Sequence, residues 1–320
     1  MQRRALFALL LAMAAAGASL PSGAQDKPPL KIVVGFPPGG SADVLARLMA
    51  DALRPDFGAV VVENRPGAGG RIALNQVRRA TPDGQTVVLL PSGPMVLFPH
   101  VYKKLDYDPV ADFAPVSLLA RFQFGVVAGP SAPAKTVKDM IAHAKAEPGK
   151  SSYGTPGLGT LPHFMGVLFE QKAGAPLNHV PFQGGGPANN ALLGGHIQYK
   201  FDVVSETAEF HRSGKARILA VTGAQRDPQV PEVPTLREAG IDMEASAWFA
   251  VYGPAGMSPA VQNRLSQAFA AAVRQPAMRE RMLGLGYEPV GSSPAELAAA
   301  QKADLNRWAA PIKATGVQLD

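Results

Sequence analysis

The chain has 320 residues, 47% hydrophobic and 18% charged, with 33 glycines, 30 prolines and no cysteine. This apolar content excludes a disordered tail protein. Glycine without a three-residue period excludes collagen. The missing cysteine excludes disulfides, thiolate metal sites, a cysteine nucleophile and a lipidated N-terminal cysteine. A net charge of +6 without a dense Lys/Arg run gives no footprint for nucleic acid. Length alone points to two domains.

Residues 1–24 read as an export signal. Arg3 and Arg4 form a charged start, Leu6 to Ala18 an apolar run, and Ser22-Gly23-Ala24 a small-residue cleavage site, with cleavage expected after Ala24. The competing reading, a membrane anchor, needs about 20 apolar residues. Export in a bacterium means the periplasm or outside.

Leu30–Phe36 reads as a buried strand ending in Pro37-Pro38-Gly39-Gly40, followed by a helix over 41–53 with apolar spacing at Val44, Leu45, Leu48, Met49 and Leu53. Val60–Val62, a helix over 71–80 and Thr86–Leu90 continue the alternation of a parallel sheet. Val116–Leu119 and Phe124–Ala128 read as two strands, and 136–147 as a helix whose Thr136 and Asp139 form a capping box. Next come an extended stretch at 151–154, a helix at 160–173, a strand at 177–180, a helix at 187–193 and strands at 198–203 and 216–222. Thr235 to Glu238 predicts a capped short helix stopping at Gly240, and 247–252 a strand. Helices begin near Pro259, Ala277 and Pro294, with Ser258 and Ser293 as N-caps.

Several motifs fail their context. Ala144 to Ser151 fits a relaxed phosphate loop but follows a helix, and Gly67-Ala68-Gly69-Gly70 lacks the last glycine of a dinucleotide fingerprint. There is no G-x-S-x-G elbow. The six histidines show no metal-ligand spacing, so no metal or other cofactor is expected.

Five glycine-rich loops remain: 37–41, 67–70, 154–160, 183–187 and 194–195. Several pass from a strand end into a helix start, where free amides and the positive dipole end hold an anion such as a carboxylate. Ser41, Ser151, Ser152, Thr155 and Thr160 add hydroxyls. Singly, each loop also reads as a plain tight turn. Asp43 either stabilises its helix start or braces the preceding loop and reaches a ligand-bound water.

The chain resembles the substrate-binding proteins of tripartite tricarboxylate transporters, the Bug receptor family. The resemblance rests on Val33 and Gly35-Phe36-Pro37-Pro38-Gly39-Gly40 with Asp43; Val62-Glu63-Asn64-Arg65-Pro66-Gly67; Tyr107-Asp108-Pro109-Val110; Gly157-Leu158-Gly159-Thr160 with His163; His179-Val180-Pro181-Phe182; Phe201-Asp202; and Val233-Pro234-Thr235. They occur in order along nearly the whole mature chain. The resemblance implies an α/β, two-domain periplasmic binding protein of the Venus flytrap, type II-like class, each domain a mixed, mainly parallel sheet flanked by helices. Domain 1 is expected over 27–124 plus 247–320, and domain 2 over 125–246. It implies a non-enzymatic receptor for a small organic carboxylate, a monomer that delivers its ligand to an integral-membrane permease. The alternatives are a receptor of the same fold feeding a membrane sensor, and, more remotely, a secreted hydrolase.

The implied ligand residues are Phe36, Pro38, Gly39, Gly40, Ser41 and Asp43 in the first domain. In the second they are Gly154, Thr155, Gly157, Gly159, Thr160, His163 and Asp202. Two departures from the family pattern add Ser92, in the loop Pro91-Ser92-Gly93-Pro94-Met95, and Gln183, where relatives carry a lysine. With Phe36, Phe122 and Phe124, they point to a ligand with one carboxylate and an apolar or aromatic body, unless these side chains face the core.

Overall fold

The computed structural model describes residues 28–320; the export signal expected over 1–24 lies outside them. Strand β1 (Leu30–Val34) pairs in parallel with β2 (Val60–Asn64) and β3 (Thr86–Pro91), setting Ile32 against both Val62 and Val87. Helix α1 (Ser41–Phe57) buries Leu45, Leu48, Met49 and Leu53 on one face, as the 3.6-residue period requires. Helix α2 (Arg71–Arg78) follows β2, and the one-turn helices α3 (Gly93–Val96) and α4 (Phe98–Val101) follow β3.

The two strands expected at 116–119 and 124–128 are one strand, β4 (Phe113–Ala128). Register irregularities at Pro115–Ser117 and Leu118–Ala120 let it bend without ending. Its first part, to Gln123, pairs antiparallel with β9 (Ser246–Pro254). Its last five residues pair antiparallel with β7 (Tyr199–Val203), and its last four also with β8 (Arg217–Val221). One strand therefore belongs to two sheets. The first has the order β2-β1-β3-β9-β4, with the two-residue β10 (Glu288–Pro289) on the far edge of β4. The second continues from β4 through β7 and β5 (Ser152–Thr155) to β6 (Asn178–Pro181), with β8 on the other side of β4.

Helices α5 (Val137–Ala146), α6 (Leu161–Ala173), α7 (Gly185–Leu193) and α8 (Ala208–Arg212) accompany the second sheet. Helices α9 (Pro259–Arg274), α10 (Pro276–Gly284) and α11 (Pro294–Thr315) follow β9. The caps at Thr136, Ser258 and Ser293 form as expected, each side chain accepting an amide of the first turn. At Thr235–Glu238 the reciprocal capping bonds form, but the segment stays a turn. Capping satisfies the first amides; it does not supply the buried face that propagates a short helix.

The chain crosses between the sheets at Gln123–Phe124 and at Thr222–Ser246. Thr222 ties the crossings together: its hydroxyl accepts the Phe124 amide at 3.1 Å and donates to the Ala245 carbonyl at 2.7 Å. One hydrophobic core runs from β1 and α1 through Phe122 and Phe124 to Tyr153, Phe169 and Phe201. A smaller cluster gathers Val127, Leu192, Ile197, Val204 and Ile218.

Candidate functional site

Between the lobes lies a cleft lined from both sides. The β1–α1 loop contributes Phe36, Pro37, Pro38, Gly40, Ser41 and Ala42, and the first sheet adds Pro91, Phe122 and Phe249. Across from them stand Thr160 and Leu161 at the start of α6, Gly185 and Gly186 at the start of α7, and Asp202 and Glu206. A second cavity shares Phe36, Pro37 and Pro156 with it and includes Gly157 and Gln183.

The walls are mainly aromatic and proline. Phe122 stacks on Phe249 at 4.3 Å between ring centroids and meets Phe124 edge-on. Among the described residues lining the cleft there is no lysine or arginine. Helices α1, α6 and α7 begin at it, and the first-turn amides of Ala42, Leu161, Gly185 and Gly186 lie where a helix offers no acceptor of its own. Pro162 and Pro187 have no amide hydrogen, which narrows the donors on the second lobe to these few positions.

Of the residues singled out from sequence, Phe36, Pro38, Gly40, Ser41, Thr160 and Asp202 line the main cleft, and Gly157 and Gln183 line the adjoining cavity. The others line neither cavity. Asp43 is buried and braces the loop: its Oδ2 accepts the Gly39 amide and Arg47 Nε, each at 2.9 Å, and its Oδ1 accepts Asn64 Nδ2 at 2.9 Å. Burial pushes this carboxyl up, but the bonds from Arg47, Gly39 and Asn64 outweigh it and hold it below its ordinary value. The Gly39 amide is thus used internally.

On the second lobe, Thr155 Oγ1 lies 2.7 Å from His179 Nε2 and donates to the Gly157 carbonyl. The Gly159 amide donates to His163 Nδ1 at 3.1 Å. Thr155, Gly159 and His163 therefore shape the loop from within. Gly154 is a packing glycine: a β-carbon there would meet Ile197 Cδ1 at 2.4 Å. Ser92 is buried, its amide bonded to the Trp248 carbonyl. Ser151 is fully buried, Ser152 accepts the Gln198 amide, and neither lines a cavity; of the expected hydroxyl residues Ser41 and Thr160 line the cleft, and Thr160 Oγ1 donates to the Gly157 carbonyl at 2.7 Å. The Gly194 amide closes the end of α7, making that loop the plain turn.

Three groups beside Asp202 were not singled out. Lys200 and Asp202, both fully buried, form an ion pair at 2.7 Å. Lys200 Nζ also donates to Asn189 Oδ1 at 2.6 Å and to the Gly185 carbonyl at 3.2 Å. Glu206, in the single turn Val204–Glu206, accepts the Ser41 amide of the opposite lobe on Oε1 at 2.8 Å. Burial first, then the negative charge of Asp202, pushes the Glu206 carboxyl above its ordinary value. Tyr287 Oη donates to the Ser41 carbonyl and accepts from Ser205 Oγ. A signal for the pair existed: Lys200 and Asp202 stand two apart in a strand, on one face, inside an apolar run.

The sequence model described as "Tripartite tricarboxylate transporter family receptor" matches residues 45–317. Protein BugT of Bordetella pertussis is 33% identical over 321 residues, covering 99% of this chain and 98% of that one. Among solved structures, R. palustris Rpa4515 with adipate superposes with a TM-score of 0.88 at 32% identity, covering 91% of this chain and 98% of that one. MatC from Rhodopseudomonas palustris with bound malate gives 0.84 at 29% identity, covering 89% and 98%.

Proposed function

Since the chain belongs to the tripartite tricarboxylate transporter receptor family, we propose that it is a periplasmic receptor that captures a small organic carboxylate between its lobes and hands it to the membrane permease of such a transporter. One observation carries this reading: the starts of three helices, from two lobes joined by only two crossings, open on one cleft. First-turn amides and helix dipoles hold a carboxylate without a cationic side chain. Relatives solved with adipate and malate support an acid as the ligand.

In this reading the lobes comprise 27–124 with 247–320, and 125–246. Residues 1–24 direct export and are cut off after Ala24. Phe36, Pro38, Gly40, Ser41, Thr160, Gly185 and Gly186 touch the ligand. Gly39, Asp43, Thr155, Gly159 and His163 hold those contacts in place. A ligand bridging both lobes stabilises the closed arrangement, and that closed surface is what a permease reads. No catalytic role is assigned, and the ligand is returned unchanged.

A thermal-shift screen of the purified protein against small organic acids tests the proposal. A ligand present at about 100 times its Kd stabilises by about 2.7 kcal/mol. Saturable stabilisation by an acid recovered intact is the expected result. A chain that no organic acid stabilises, or that consumes the acid, overturns the reading.

A further inference from the structure

Ser41 begins a 17-residue helix whose first turn faces the cleft, and its amide already has a carboxylate partner in the opposite lobe, Glu206 Oε1 at 2.8 Å. That carboxylate stands where the partial positive charge of the helix end is strongest. The second oxygen, Oε2, packs against the α-carbon of Gly185: a β-carbon on Gly185 would lie 1.6 Å from Glu206 Oε2 and 2.9 Å from Asp202 Oδ2. Two side-chain carboxyls thus crowd one point of the cleft wall, with Lys200 the buried cation paired to Asp202.

We propose that Glu206 is a specificity-determining residue that fills one of the cleft's anion-binding helix ends from within and so restricts the ligand to an acid with a single carboxylate on an apolar or aromatic body. A second ligand carboxylate aimed at α1 finds the Ser41 amide taken and meets the Glu206 carboxyl, which has no cation of its own because Lys200 is paired to Asp202. The ligand's one carboxylate is left with the start of α6 and its Leu161 amide, away from the two carboxyls at Gly185. Its body lies against Phe36, Phe122, Phe124 and Phe249, an apolar wall that gives a second carboxylate no donor.

The inference rests on the cleft being an organic-acid site, and its test separates the two. Affinities of the full exported protein are measured by calorimetry for matched pairs of equal chain length, butyrate with succinate and hexanoate with adipate, alongside phenylacetate. The wild-type protein is expected to bind the monocarboxylate of its preferred length, or phenylacetate, at least tenfold more tightly than any dicarboxylate. Glu206→Ser frees the Ser41 amide and should raise dicarboxylate affinity, shrinking that ratio at least tenfold. Glu206→Gln keeps the side chain's size and removes its charge, and should move the ratio part of the way. Circular dichroism establishes that each variant is folded, and if the serine variant is not, the glutamine variant alone must shift the ratio. Acids that bind with no monocarboxylate preference, or with a ratio that neither folded variant changes, overturn the role of Glu206 and leave the receptor reading intact. Failure of every acid to bind the wild-type protein overturns both.

Discussion

The imidazole rings of His163 and His179 stack at 4.0 Å between centroids, tilted by 18°, beneath the second-lobe loop that borders the cleft. Burial holds His163 down at about 4. Burial and then the neighbouring His163 hold His179 down at about 3. Both lie below the ordinary value of about 6.5 for an unfolded chain, so the unfolded state takes up protons first. Their contribution to stability is full above about pH 6.5 and is lost as pH falls toward 4 and then 3. The slope through that window is at most about 1.4 kcal/mol per pH unit per group. Melting temperature should fall between pH 7 and 4.5, and less steeply in His179→Gln. An acid limb as steep in the variant as in the wild-type protein removes His179 from this account.

Asp43 connects the first-lobe loop to the rest of that lobe. Asn64 Nδ2 donates both to Asp43 Oδ1 and to the Phe36 carbonyl, while Asp43 Oδ2 holds the Gly39 amide. Asp43→Asn turns one acceptor into a donor aimed at other donors. It should cost about 1–3 kcal/mol at neutral pH and weaken ligand binding, because the loop that carries Gly40 and Ser41 loses its brace. Because its carboxyl is held below the ordinary range, this contribution is present at neutral pH and is lost only as pH falls through the folded value. Urea denaturation at pH 7 and at pH 3 checks this: the gap between wild type and variant should narrow at the lower pH.

Gly185 has no room for a side chain. An added β-carbon would overlap Glu206 Oε2 at 1.6 Å and Glu206 Cδ at 2.6 Å. Gly185→Ala must therefore push Glu206 off the Ser41 amide or move the start of α7, at a cost of about 1–3 kcal/mol. Small-angle scattering of the unliganded variant should show a larger radius of gyration than the wild type, since a direct bond between the lobes is lost. Pairing Gly185→Ala with Glu206→Ser should recover part of the stability; no recovery would place the strain elsewhere.

The alternation of short apolar strands with amphipathic helices was legible along the chain, and so were the caps at Thr136, Ser258 and Ser293. These depend on residues three or four positions apart, which the chain brings together wherever it forms a turn of helix. The ordered motifs from Gly35 to Thr235 identified the family because each is local and their order is linear. The expected break between 119 and 124 misread one strand as two: Arg121 and Gln123 interrupt the apolar run, yet both stay in register, opposite Trp248 and Ser246 of β9.

Tertiary structure alone decided which of the glycine-loop groups face the cleft. Gly39 and Gly159 carry the sequence mark of anion binding, yet their amides are answered by Asp43 and His163, a matter of side-chain direction that spacing does not encode. Ser41 and Glu206 lie 165 positions apart and meet only because β4 threads both sheets and the lobes close on each other. The sequence by itself determined what each loop could do, because backbone donors at helix starts are a local property. Which of them remained free was set by long-range packing.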